Sequence, residues 1–65
     1  MNITLNGEPR EILAQTVEAA LAELGFADAT VATALNGNFV PAALRQNTTL
    51  SEGDRLEVVA PMQGG

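Results

Sequence analysis

Neither cysteine nor histidine occurs among the 65 residues of this chain, and that limits how it can fold more than any other feature. No disulfide and no thiolate or imidazole metal site can brace it. A chain this short buries only about 60% of the surface its unfolded form exposes, so there is room for one core and little else. The hydrophobic content of 46% has to build that core unaided. One small domain is the expectation.

The apolar pattern says what kind of domain. Met1, Ile3 and Leu5 alternate with Asn2 and Thr4, as in a half-buried strand. Asn6-Gly7 follows, a pair that tolerates the positive φ angles of a tight hairpin turn. The return strand is expected from Pro9 to Leu13; proline is tolerated at a strand start, where its missing N–H costs least. Thr16 then has the character of a helix N-cap, with Glu18 placed in the first turn to suit the dipole. Val17, Ala20, Leu21 and Leu24 form one apolar stripe, and Gly25 supplies the stop.

Beyond the helix, Val31–Leu35 reads as a strand ending in a second Asn-Gly turn, Asn36-Gly37. Phe39 and Val40 make a short strand that Pro41 stops, and one helical turn is expected from Pro41 to Leu44. Leu50 is a core anchor in a polar connection, and Ser51-Glu52-Gly53-Asp54 is turn chemistry. The last strand runs from Arg55 to Ala60, with Leu56, Val58 and Ala60 on one face and Arg55, Glu57 and Val59 on the other. This order predicts an α+β fold: a mixed sheet of four to five strands with one helix packed across one face. The last strand is expected beside the first, both in the middle of the sheet.

Charge and residue inventory exclude most kinds of function. Eight acidic residues against three arginines give a net charge of −5, the wrong sign for nucleic acid. No apolar run approaches the roughly 20 residues of a membrane span, and the start Met1-Asn2-Ile3-Thr4 has neither the basic region nor the apolar stretch of a signal peptide. A cytoplasmic protein, monomeric when free, is expected. Without His, Cys, Lys or Tyr the usual nucleophile–base pairs are impossible. The eight carboxylates are read as a solvated surface. The lack of lysine also leaves no side-chain amine through which copies could be joined.

What remains is the end, Ala60-Pro61-Met62-Gln63-Gly64-Gly65. At a glycine usage of about 7%, chance puts Gly at both last positions about 0.5% of the time. A frayed terminus is the plain alternative. Against it, a strand leads directly to the segment and Pro61 cannot donate to a ladder. Two residues without Cβ can thread a narrow channel into another protein's active site, and Gly65 adds an unhindered carboxylate. Residues 1–60 are thus expected to form the domain and 61–65 a flexible tail.

The whole chain resembles the ubiquitin-like β-grasp sulfur carriers, most closely those of thiamine biosynthesis. The resemblance rests on Met1-Asn2-Ile3-Thr4-Leu5-Asn6-Gly7, Gln15-Thr16-Val17, Val31-Ala32-Thr33-Ala34-Leu35-Asn36-Gly37, Val40-Pro41, Leu50 through Val59, and Gly64-Gly65, in that order and spacing. It departs after Pro41, where relatives often carry Arg and then an aromatic and this chain has Ala42 and Leu44.

The resemblance implies a ubiquitin-like β-grasp fold and a carrier that is a co-substrate rather than an enzyme. An adenylyltransferase similar to ubiquitin-activating enzymes spends ATP on the Gly65 carboxylate, and a persulfide made by a cysteine desulfurase supplies sulfur. The resulting thiocarboxylate delivers its sulfur to thiazole synthase. No cofactor or metal is expected on the chain itself. Carriers of this kind dock through the sheet face opposite the helix, which singles out Val59, Pro61, Met62 and Gln63 as partner-binding, with Ala32 and Ala34 on the same face. Glu52, Asp54 and Glu57 could meet basic partner residues. The alternatives are a molybdopterin-type sulfur carrier, a ubiquitin-like protein modifier, and a plain binding module whose Gly-Gly end is incidental.

Overall fold

Two Asn-Gly turns set the geometry of the sheet. In the computed structural model, which describes residues 1–60, Asn6 and Gly7 have φ angles of 51° and 86°, and Asn36 and Gly37 repeat those values. Each pair is thus a two-residue turn whose twist matches that of the flanking strands. The first joins β1 (Asn2–Leu5) to β2 (Glu8–Glu11), and the second joins β3 (Ala32–Leu35) to β4 (Asn38–Val40). The last strand, β5 (Arg55–Val59), lies between the hairpins in the order β2-β1-β5-β3-β4. It runs parallel to β1 and antiparallel to β3. The expected central pairing of first and last strands is present.

A single helix, α1 (Val17–Glu23), packs on one face. The Thr16 side chain accepts the Ala19 N–H at 3.1 Å, as an N-cap should. At the other end Phe26 N–H donates to Leu21 O (2.7 Å) and Gly25 N–H to Ala22 O (3.3 Å), with Gly25 at φ 94°. This is a Schellman stop, and Phe26 packs against the core beside it. Val17, Ala20 and Leu21 are buried under the helix, facing Ile3, Leu5, Leu50, Leu56 and Val58. Full burial of each large aliphatic side chain contributes about 1.5–3 kcal/mol.

Strand β3 starts one residue later than expected, at Ala32, and β4 one residue earlier, at Asn38; three further boundaries differ for reasons of packing. The return strand is Glu8–Glu11 rather than Pro9–Leu13, because a two-residue turn pairs Leu5 directly with Glu8. Beyond Glu11 the faces separate: Ile12 is fully buried while Leu13 is 89% exposed. The Leu13 and Ala14 amides are taken up by the Glu23 carboxylate at 2.9–3.1 Å. Second, the single turn expected over Pro41–Leu44 is a longer 3₁₀ segment, Ala42–Asn47. Arg45 within it donates to Thr33 Oγ1 (3.1 Å) and Val31 O (2.6 Å), which ties the segment back to β3. Third, Ala60 is exposed and lies past the end of β5. The inward face of β5 holds only Leu56 and Val58.

Pro9 needs no exception to strand rules. Met1 and Ile12 exchange both backbone bonds (2.7 and 2.8 Å), so by alternation the Thr4–Pro9 pair is a non-bonded one. The proline nitrogen therefore faces the open edge, where proline, Glu8, Arg10 and Glu11 discourage pairing with another chain. Among the described residues no helix is long and apolar enough to cross a membrane.

The turn before β5 is tied to the start of β1. Glu52 Oε1 accepts the Asn2 N–H at 3.0 Å, and that backbone bond is the main reason its carboxyl titrates below the ordinary glutamate range. The charged form is the one favoured by folding. Its contribution is therefore full above the ordinary pKa of about 4.3 and is lost as pH falls through the lower folded value. Urea midpoints measured down through that window should fall less steeply for Glu52→Gln than for the wild type. Equal slopes would show that the bond is absent in solution.

Candidate functional site

The helix leaves one face of the sheet uncovered, and the alternation of β3, β4 and β5 decides what it presents. Thr33, Val40, Leu56 and Val58 point inward and are buried, so their neighbours point out. Val59 is 62% exposed and Phe39 70% exposed. Register brings them together: Ala32 pairs with Val59, Ala34 with Glu57, and Ala34 with Phe39. The result is a shallow, mainly apolar depression lined by Ala32, Thr33, Ala34, Phe39, Glu57 and Val59. A second depression continues from it past Thr30, Val31 and Ala60. At the other end of β5 the same face turns polar, with Thr4 and Arg55 paired across the β1–β5 ladder.

Val59, Ala32 and Ala34 thus share the outward face, as the strand pattern predicts. Glu57 stands at its rim. Asp54 does not join it: one oxygen accepts the Ser51 N–H (2.7 Å) and the other the Asn36 side-chain amide (3.0 Å), so it serves the turn. Glu52 is likewise engaged with Asn2. Pro61, Met62, Gln63, Gly64 and Gly65 lie outside the described residues. Phe39 is the residue that sequence reading placed in a strand without giving it a face. Its neighbour Val40, followed at once by Pro41, was the available signal, since an inward Val40 forces Phe39 outward.

Two asparagines also have roles beyond their turns. The Asn6 side chain accepts the Val58 N–H (2.9 Å) and donates to Val58 O (3.0 Å). Asn36 accepts the Arg55 N–H through its side chain (2.9 Å), while its backbone N–H donates to Arg55 O (2.8 Å). Each turn thereby grips β5, one at its start and one near its exit. Among the described residues no group of three or more acidic side chains could hold a metal ion.

Residues 3–65 match the model of the ThiS family. The chain belongs to the ThiS family. The match includes Gly64 and Gly65, and it establishes the resemblance to sulfur carriers of thiamine biosynthesis. The sulfur carrier protein ThiS of Thermus thermophilus is 40% identical over 63 residues, 97% of this chain and 98% of that protein. A thiazole synthase of Paramagnetospirillum magneticum is 41% identical over 66 residues. That alignment takes in all of this chain, which spans only 20% of the synthase's length. Among solved structures, the crystal structure of the thiamine biosynthesis protein ThiS from Geobacter metallireducens superposes with a TM-score of 0.85 at 33% identity, each chain covered completely. The solution structure of a thiamine biosynthesis protein from the same organism gives 0.80 at 32% identity, covering all of this chain and 88% of that one. The ThiS family fold, a ubiquitin-like β-grasp, is therefore the fold of this chain.

Proposed function

We propose that this chain carries sulfur for thiazole formation as a thiocarboxylate on Gly65, acting as a co-substrate and not as a catalyst. The observation that carries the reading is the family match running through residue 65, which takes in the Gly-Gly end. The chemistry needs no side chain of the carrier. The Gly65 carboxylate attacks the α-phosphorus of ATP on an adenylating partner similar to ubiquitin-activating enzymes, and pyrophosphate leaves. A persulfide sulfur derived from a cysteine desulfurase then attacks the acyl carbon, and AMP leaves. That attack forms a C–S bond; a thiol then cleaves the S–S bond brought in by the persulfide, forming a disulfide with the donor sulfur and leaving sulfur in place of one carboxylate oxygen. A sulfur held on a backbone terminus explains how a carrier can lack cysteine altogether.

Thiazole synthase is the acceptor in this reading, supported by the likeness of the whole chain to a stretch of a protein of that name. Docking uses the uncovered sheet face, with Val59 and Phe39 as its apolar anchors and Pro61, Met62 and Gln63 leading to the glycines. A few anchors that become buried near the centre of an interface give it most of its affinity. Val59→Glu should leave stability within about 1 kcal/mol of wild type, because the side chain is exposed. It should raise the carrier concentration needed to half-saturate the adenylating enzyme by about tenfold or more, as loss of one buried anchor does. An unchanged half-saturation would remove this face from the docking model.

The reading is tested by the intact mass of untagged protein from its own cells, taken before any reduction or alkylation. A fraction heavier by one oxygen-to-sulfur exchange, located on Gly65 by fragmentation, is the expected result. Thiamine auxotrophy of a deletion strain then fixes the destination. Protein that stays unmodified with ATP, adenylating enzyme and sulfur donor would overturn the proposal.

A further inference from the structure

We propose that Asn6 is a positioning residue for the reaction at Gly65, a role that rests on the carrier reading above. The parallel ladder between β1 and β5 consists of Thr4–Arg55 and Leu5–Leu56. The Asn6 N–H still reaches Leu56 O at 2.9 Å, but at φ 51° the chain then turns away toward β2. No strand backbone continues the ladder toward Val58. The Asn6 side chain takes its place, with Oδ1 on the Val58 N–H and Nδ2 on Val58 O.

On the opposite side β5 is held by β3. Because Val58 directs its amide and carbonyl at Asn6, Glu57 and Val59 direct theirs at Ala34 and Ala32. Val58 is thus the last residue of β5 gripped from the β1 side, and one side-chain amide does the gripping. Without it the end of β5 hangs from β3 alone, and the segment leading to Gly65 starts from a less defined place and direction. Reaction at the end of a chain depends on where that chain is anchored, since small displacements of a reacting group are costly.

Asn36 provides an internal control. It holds the start of β5 through an equivalent turn with the same φ angles, and it lies far along the strand from the exit. Asn6→Gly and Asn36→Gly each keep a left-handed turn and remove the side-chain bonds. Three quantities should be measured: amide exchange at Val58, urea midpoints, and pyrophosphate exchange driven by the adenylating enzyme of the same cells. Asn6→Gly is expected to lose protection at Val58 and about tenfold in turnover, with the half-saturating carrier concentration unchanged. Asn36→Gly should lower the urea midpoint comparably and keep turnover within about twofold. Asn6→Asp, which retains the acceptor for the Val58 N–H, should recover part of the turnover.

Equal losses of turnover in the two glycine variants would make Asn6 merely structural and overturn the proposal. So would full turnover in Asn6→Gly despite lost protection at Val58. Failure of the wild type to be activated at all would overturn the carrier reading instead, and the role of Asn6 with it.

Discussion

Removal of Gly65 alone is expected to abolish thiocarboxylate formation while leaving the folded domain untouched. The shortened chain still ends in a glycine carboxylate, so chemistry at the terminus is preserved and only its reach changes. One residue of extended backbone spans about 3.3–3.6 Å, and misplacement of a reacting atom by about 1 Å can cost 10²-fold. A loss of at least that size is expected in pyrophosphate exchange, with no mass increase after incubation with ATP, adenylating enzyme and sulfur donor. All core residues among the described ones lie between Ile3 and Val58, so the urea midpoint should not move. One residue added after Gly65 should have the same effect, because an amide replaces the carboxylate. Activity at the wild-type rate in either variant would place the reaction elsewhere.

Leu56→Ala should produce the largest loss of stability of any conservative change in the domain. Leu56 is fully buried in the middle strand of the sheet, paired with Leu5 on one side and Leu35 on the other. Truncating a buried leucine typically costs about 2–5 kcal/mol. At about 0.05–0.15 kcal/mol per residue, the whole domain is worth only about 3–10 kcal/mol. Each kcal/mol shifts the thermal midpoint of so small a domain by about 4–8 °C, so a fall of at least about 8 °C is expected by circular dichroism. A smaller change would mean that α1 settles into the vacated volume.

The elements that sequence reading placed well are those with local causes. Thr16 and Gly25 bound the helix through bonds to residues within five positions, and the stripe Val17, Ala20, Leu21 is periodic. Asn6-Gly7 and Asn36-Gly37 announce their turns through backbone preference alone. What escaped is non-local. The bonds from Asn6 to Val58 span 52 positions and that from Asn36 to Arg55 spans 19, and no pattern in either neighbourhood signals them. The end of β2 also depends on distant partners: Ile12 goes inward to the core, and Leu13 is turned out as the Glu23 carboxylate collects its amide. Alternation alone puts Ala60 on the inward face of β5, but the pairing with β3 ends at Ala32–Val59.

The candidate site divided along the same line. The outward direction of Val59 follows from alternation within β5 and was legible. The meeting of Val59 with Phe39 requires β3 to stand between their strands, which only the assembled sheet provides. The significance of Gly64-Gly65 came from the rest of the chain, since two terminal glycines mean little until the preceding residues identify the family.

The position of β5 has a consequence for how the protein is born. The hairpin of β1 and β2 and that of β3 and β4 are joined into one sheet only by the strand between them, which is also the last element among the described residues. A nascent chain stopped before Arg55 has its two halves linked through Gln15–Val17 and residues 48–50, but it has no strand to make its hairpins one sheet, and isolated hairpins are marginal in water. Folding must therefore wait until synthesis has passed the central strand, and the first-to-last pairing makes that step a slow, long-range one. Copies that end before the central strand lack the assembled sheet, so the outward face shared by Val59 and Phe39 exists only once that strand has been made.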